Sequence, residues 1–236
     1  MAIIDKPSDY FISNLHTGNG GTQNITSLDF QADLIWIKQR NEAQNNRLID
    51  SVRGNTKEIF SDLTTAEQTL TNGITAFNSN GFGLGSSNGY NKNSGTYVTW
   101  NWKAGGSASS NSDGSITSSV SANQDAGFSI VSYTGTGSAA TIGHGLGTTP
   151  AWVLVKERGA SGEAWNNFHQ SLGAGITIML NLTNAQQSSS TMWNNTAPTS
   201  SVFSVGADAG SNGSSKTYVA YCFAEKQGYS KFGSYT

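Results

Sequence analysis

Cysteine is nearly missing: Cys222 is the only one in 236 residues. Neither an intrachain disulfide nor a cysteine-built zinc site is therefore available. Charge is scarce as well, with Asp, Glu, Lys and Arg at 12% of the chain, about half the usual share. The net charge is −2 and no basic run occurs, which removes the electrostatic footprint of a nucleic-acid binder. No apolar stretch reaches the ~18–20 residues that carry a helix across a bilayer, so membrane insertion is not expected. The N-terminal MAIIDKPSDYF carries Asp5 and Asp9 where a secretion signal has a basic and then an apolar region. That reads as synthesis in a cytoplasm, with release by lysis. Helical patterning is scarce too, since no apolar series at i, i+3, i+4 and i+7 runs beyond two turns. Thr64–Gln68 and Thr183–Gln187 are the two places where a single helical turn is expected.

Chemistry-bearing clusters are equally thin. His16, His144 and His169 are the only histidines, and none has metal-ligand spacing to another His, Cys or carboxylate. Asp50, Asp62, Glu67, Glu157 and Glu163 show no arrangement present in both parts of the chain, which gives no paired-carboxylate site. GFGLG at Gly81–Gly85 lacks the following helix and Lys-Ser/Thr of a phosphate loop. Asp113 and Asp208 sit among Asn, Gly and Ser, where an Asx turn competes with a calcium loop. Lys38 and Lys156 occupy matching places, as do Arg40 and Arg158, which reads as structural duty. No catalytic residue, metal or cofactor is expected, and the chain is read as a non-enzyme.

What is present is aromatic and β-rich. The chain holds 6 Trp, 8 Tyr, 10 Phe and 28 Gly, with apolar residues in short runs between Gly-, Asn- and Ser-rich turns. It is also written twice. LIWIKQR at 34–40 returns as WVLVKER at 152–158, GFGLG as VFSVG at 202–206, and TYVTWNW at 96–102 as TYVAYCF at 217–223. The offset is 118 between Trp36 and Leu154 and 121 between Val98 and Val219. A period this long is a domain rather than a solenoid unit, whose repeats run roughly 20–50 residues.

The pattern predicts an all-β fold of two tandem antiparallel β-sandwiches of the jelly-roll type. The first spans 1–104 and the second 126–227, with a Gly/Ser-rich linker plus a strand at 105–125. Ser234–Thr236 reproduces Ser132–Thr134, so 228–236 is expected to begin a third repeat. Ile35, Trp36, Ile37, Phe82, Leu84, Val98 and Trp100 are the expected core of the first sandwich. Val153, Leu154, Val155, Phe203, Val205, Val219 and Tyr221 are that of the second. Tyr90, Trp165 and Trp193 lie in loops flanked by Asn and Gly. They are either exposed platforms for a glycan or protein partner, or plugs of loop cores.

With LIWIKQR, DSVRG, AFNSNGFGLG and TYVTWNWKAGG in one part and FSIVSYTGTG, IGHGLGTTPAWVLVKER and TYVAYCFAE in the other, the chain resembles a family of repeat proteins. That family is encoded by marine tailed bacteriophages, including cyanophages, and typically continues past SKFGSYT into another repeat. The resemblance implies a structural protein on the virion exterior, of the tail-fibre or capsid-decoration type, with lectin-like β-sandwich repeats. It also implies other virion proteins and further copies of itself as partners, and assembly in the host cytoplasm. It supplies no catalytic residues. The alternative is an adhesin that attaches to host surface glycans through the loop aromatics.

Overall fold

The computed structural model describes residues 3–235. The fold is all-β and its sheets are antiparallel. The first half runs β1 (Phe11–Thr17), β2 (Gln23–Ile25), β3 (Leu34–Gln39), β4 (Arg47–Asp50), β5 (Lys57–Phe60), β6 (Gln68–Thr69), β7 (Ile74–Asn78), β8 (Gly81–Leu84), α1 (Asn88–Asn91) and β9 (Thr96–Trp102). Two strands, β10 (Ser109–Asn111) and β11 (Ser118–Asn123), then lead into the second half. That half runs β12 (Phe128–Thr134), β13 (Ala140–Gly143), β14 (Trp152–Glu157), β15 (Asn166–His169), β16 (Ile176–Met179), β17 (Gln187–Ser188), β18 (Val202–Val205), α2 (Ala209–Asn212) and β19 (Thr217–Phe223).

The duplication is visible in the strand order. The large sheet of the first half is ordered β1-β9-β3-β4-β5-β6, and that of the second is β12-β19-β14-β15-β16-β17 with β11 and β10 added outside β12. Each is the other with equivalent strands exchanged. A small sheet covers one face of each: β2-β8-β7 in the first half and β13-β18 in the second. The equivalence reaches single hydrogen bonds. Tyr97 and Tyr218 each donate their hydroxyl to the first residue of the helical turn, Asn88 O at 2.6 Å and Ala209 O at 2.5 Å. Asn91 and Asn212, fully buried, each donate to the carbonyl that closes the preceding strand, Gly85 O and Gly206 O. The single helical turns thus form as caps at 88–91 and 209–212. They do not form at Thr64–Gln68 or Thr183–Gln187, where no backbone series closes a turn.

Each half has its own apolar core, and a third cluster joins them. Ile35, Ile37, Phe82 and Leu84 lie in the first core, and Val153, Val155, Phe203 and Val205 in the second. Alternation along the strands sends Leu34 and Leu154, with Val219 and Tyr221, to the opposite faces of the large sheets. There they pack together with Leu48, Ile59, Phe128, Ile130 and Trp165. The continuous apolar runs of β3 and β14 are therefore strands covered on both sides, as such runs ought to be. Three expected core residues of the first half, Trp36, Val98 and Trp100, are only half-buried. On β9 the buried positions are Tyr97, Thr99 and Asn101, so polar side chains face the first core while Trp100 and Trp102 take the opposite face, where Trp102 packs against the joining cluster. Hydrophobicity alone assigned that strand the wrong parity.

The stretch 105–125 is ordered through much of its length. Ser109–Asn111 pairs with β11, and β11 pairs with β12 through Ser119–Ser132 and Asn123–Phe128. In 228–235 no strand forms; Thr236, the last residue of the expected third repeat, lies outside the described residues. Phe232 turns back onto Trp152 and Phe223, with ring centroids 6.2 and 6.3 Å away.

Candidate functional site

The densest assembly of charge lies in the junction between the halves. Strand β4 ends at Asp50, whose Oδ1 accepts the backbone N–H of Val52 at 3.1 Å and of Arg53 at 2.8 Å. Gly54 at φ +98° completes the turn, a conformation that glycine adopts without penalty. The turn aims the Arg53 guanidinium back into the interior. It donates from Nε to Asp50 Oδ2 at 2.5 Å, and from its terminal nitrogens to Glu67 Oε2, Leu48 O and the Tyr221 hydroxyl at 3.0, 3.0 and 3.2 Å. Tyr221, from the second half, donates its own O–H to Asp50 Oδ2 at 2.8 Å. Arg158, also from the second half, grips Glu67 with two parallel bonds of 2.8 and 3.0 Å and donates to Ser132 Oγ at 3.0 Å. Two carboxylates and two guanidiniums balance, and the Asp50 and Arg53 side chains have no solvent exposure.

Backbone and indole bonds lock the same seam. Glu67 N–H donates to Arg158 O at 2.9 Å, and Gly162 N–H to Thr64 O at 2.9 Å. The Trp165 indole N–H donates to Phe60 O at 2.6 Å. Burial acts to depress the Arg53 pKa, but Asp50, Tyr221 and Glu67 outweigh it and hold the guanidinium above its ordinary value. Burial likewise pushes Glu67 up, yet hydrogen bonding from Arg158 and the charges of Arg53 and Arg158 keep it below the usual carboxylate range. Burial raises the Tyr221 hydroxyl well above its ordinary value.

The three loop aromatics singled out above are all buried, at 1% exposure for Tyr90, 0% for Trp165 and 1% for Trp193. They are not brought together. Tyr90 belongs to α1, where its hydroxyl donates to Glu58 at 2.6 Å and Arg47 lies over its ring at 5.4 Å. Trp193 packs edge-on to Phe168 in the second core, its indole N–H without a partner among the described residues. Trp165 stacks on Tyr221 in the junction. Gly89 and Asn91 beside Tyr90 lie in α1, Asn166 beside Trp165 opens β15, and Trp193 sits on a turn, and in each place the ring is directed into packed side chains. The expectation of solvent-facing glycan platforms is therefore corrected.

The remaining candidates stand apart from one another. His16 stacks on Tyr97 at 4.9 Å and bonds Tyr90 O at 3.1 Å through Nε2, and the equivalent Tyr133 stacks on Tyr218 at 5.1 Å. In His144 the Nδ1 accepts Leu146 N–H, which leaves Nε2 to donate to Thr199 O. His169 Nδ1 accepts Ser171 N–H. Asp113 and Asn111 bond each other in an Asx turn, and Asp208 caps α2 through Gly210 N–H. Lys156 is fully buried with its ammonium on Glu157 O at 2.7 Å, and burial lowers its pKa. Arg40 is exposed where Arg158 is engaged. No group of three potential metal ligands occurs among the described residues.

Elsewhere along the junction, Phe11, Trp102, Phe128, Trp152, Phe223 and Phe232 line a cavity of about 210 Å³. Its walls are mostly apolar, and they suit an apolar side chain better than a sugar or a phosphate.

A family model described as a domain of unknown function (DUF7483) matches residues 6–236. The chain belongs to that family. The match runs through both halves and the charged seam between them. No curated protein and no solved structure matches the chain.

Acid should weaken this fold in two stages. Burial lowers the pKa of His16 and His144, against the opposing effect of their backbone hydrogen bonds. Unfolded imidazoles near 6.5 bind protons that the folded ones refuse, so stability falls as pH drops from about 6.5 toward their lower folded values. The Glu67 contribution is intact above the ordinary carboxylate value of about 4.3, and is lost as pH falls through its depressed folded value. Melting temperatures measured from pH 8 to pH 3 should hold level and then decline in these two steps, with Glu67→Gln shrinking the lower one, to which Glu225 also contributes through its depressed pKa. A profile flat down to pH 4 would remove the histidine stage.

Proposed function

We propose that the chain is a non-enzymatic structural component on the exterior of a bacteriophage particle, working by shape and stiffness. The observation that carries this reading is the seam. Two equivalent β-halves are fastened by a shared apolar cluster and the Asp50–Arg53–Glu67–Arg158 chain of ion pairs. A duplicated scaffold joined rigidly suits a part that transmits force or holds a spacing. The resemblance of LIWIKQR, TYVTWNW and their second copies to tailed-phage repeat proteins supplies the particle, as a tail-fibre or capsid-decoration protein. The partners of this reading are other virion proteins and further copies of the chain. Glycan attachment through Tyr90, Trp165 and Trp193 is not proposed, because stacking on a sugar needs an exposed ring face.

Mass spectrometry of particles purified from a phage that encodes the chain tests the reading. The protein is expected at many copies per particle and accessible to surface proteolysis or antibody labelling. Its absence from purified particles, with the protein present in the infected lysate, would overturn it.

A further inference from the structure

The two halves differ at one sheet edge. In the second half β12 is flanked by β19 on one side and by β11 on the other, which pairs Ser121 with Ile130 and Ser119 with Ser132. In the first half the equivalent strand, β1, ends its sheet. It pairs with β9 along all seven residues, and no strand takes its outer side among the described residues. The parity of that pairing is fixed by its flanks. Gly18 N–H donates to Gly95 O and Lys103 N–H to Tyr10 O, so the even-numbered residues exchange bonds with β9. Phe11, Ser13, Leu15 and Thr17 therefore turn N–H and C=O outward. They stand where Phe128, Ile130, Ser132 and Thr134 stand in the second half, and β11 satisfies the first three of those.

Nothing on the strand guards this edge. FISNLHT contains no Lys, Asp, Glu or Pro, and its register runs without a bulge, so the usual devices against edge pairing are missing. The outward side chains continue an established interface. On β3, Leu34 is buried in the junction while Trp36, two residues along on the same face, is half-exposed in edge-to-face contact with Trp100 at 6.0 Å. Opposite Trp100 and Val98 on β1 stand Ser13 and Leu15, the latter 64% exposed. The apolar face that joins the halves thus runs on, uncovered, to a free backbone edge.

We propose that this edge pairs with the same edge of a second copy of the chain, β1 against β1, antiparallel about a two-fold axis at Asn14. Length selects that occupant. The other edge strands among the described residues are the five-residue β7, which carries a bulge, and strands of four residues or fewer. Full overlap of two seven-residue strands sets Ser13 opposite Leu15 and Phe11 opposite Thr17. That register brings the outward-pointing N–H and C=O groups into the hydrogen-bonded class, on an isologous interface. With no charge on the strand, no like-charge pair opposes it at the axis. The two Leu15 side chains and the Trp100 surfaces then share one face of a continuous sheet.

The pairing gives the particle-surface reading a partner and rests on that reading for its purpose in a particle. Sedimentation velocity on the purified full chain, across a concentration series, reads it directly. A two-chain species is expected, weakened at least about tenfold by Leu15→Lys and unaffected by Leu180→Lys, an exposed leucine elsewhere. Ser13→Pro deletes an outward N–H without touching the β9 ladder and should abolish the species, with circular dichroism confirming the fold. A single chain at every concentration, or a dimer equally strong in Leu15→Lys, overturns the pairing. A dimer absent from particles sinks only the particle reading, and a monomer found in particles sinks only the pairing.

Discussion

Replacing Arg53 with methionine should cost the fold about 3–5 kcal/mol, the range for removing one partner of a buried ion pair. The size follows from what stays behind. Asp50 would keep its charge in a site without solvent exposure, with only the Tyr221 hydroxyl and two backbone N–H groups to stabilise it. The carbonyl of Leu48 would lose its guanidinium donor, whereas Glu67 would retain Arg158. Methionine fills most of the vacated stem volume, so the loss reports on charge more than on a cavity. Asp50→Asn combined with Arg53→Met should recover much of the cost, because asparagine keeps the oxygen that holds the turn and removes the stranded charge. Urea unfolding of the two variants and the parent checks this. A loss below about 1 kcal/mol for Arg53→Met, within the range of surface pairs, would show that the seam does not depend on its buried charge.

The same residues explain what was legible in the sequence. The all-β class was legible because short apolar runs between Gly- and Asn-rich turns leave no helical alternative. The equivalence of β3 with β14 and of β9 with β19 followed from side-chain order alone. The seam was not legible, because motif reading rewards similarity and, apart from Arg158 with its counterpart Arg40, the seam's polar residues are ones the repeat does not share. DSVRG at 50–54 corresponds to HQSLG at 169–173, so Asp50 and Arg53 face His169 and Leu172 as counterparts. Trp100 corresponds to Tyr221, and only the tyrosine brings a hydroxyl that reaches Asp50. In a duplicated chain, positions that break the repeat with a charge or a hydroxyl mark where the copies meet. The parity of β9 failed for another reason. Asn101 is buried with its amide N–H groups donated to Thr99 Oγ1 and the carbonyl of Ile12, an arrangement that no hydropathy scale anticipates.

Trp165→Ala should be the other large effect, and it should change the shape of unfolding as well as its midpoint. Truncating a fully buried tryptophan costs about 3–5 kcal/mol, and Phe60 O would lose an indole donor at 2.6 Å. An unpartnered buried carbonyl adds about 1–3 kcal/mol. Trp165 lies in neither half's own core but in the cluster between them, stacked on Tyr221. Its loss therefore strikes the coupling of the halves, each of which keeps a separate core. The parent should unfold in one transition, and Trp165→Ala in two, with a smaller denaturant slope for each because less surface is exposed per step. Trp193→Ala is the control: that ring belongs to the second half's own core, so it should lower the midpoint of the single transition without splitting it in two. Trp165→Phe, which keeps an aromatic ring and deletes the N–H, should fall between parent and alanine. Far-ultraviolet circular dichroism and intrinsic fluorescence followed through the same urea series distinguish one transition from two. Coincident curves with the parent slope and a loss under about 1 kcal/mol in Trp165→Ala would mean that the halves are held together without this ring.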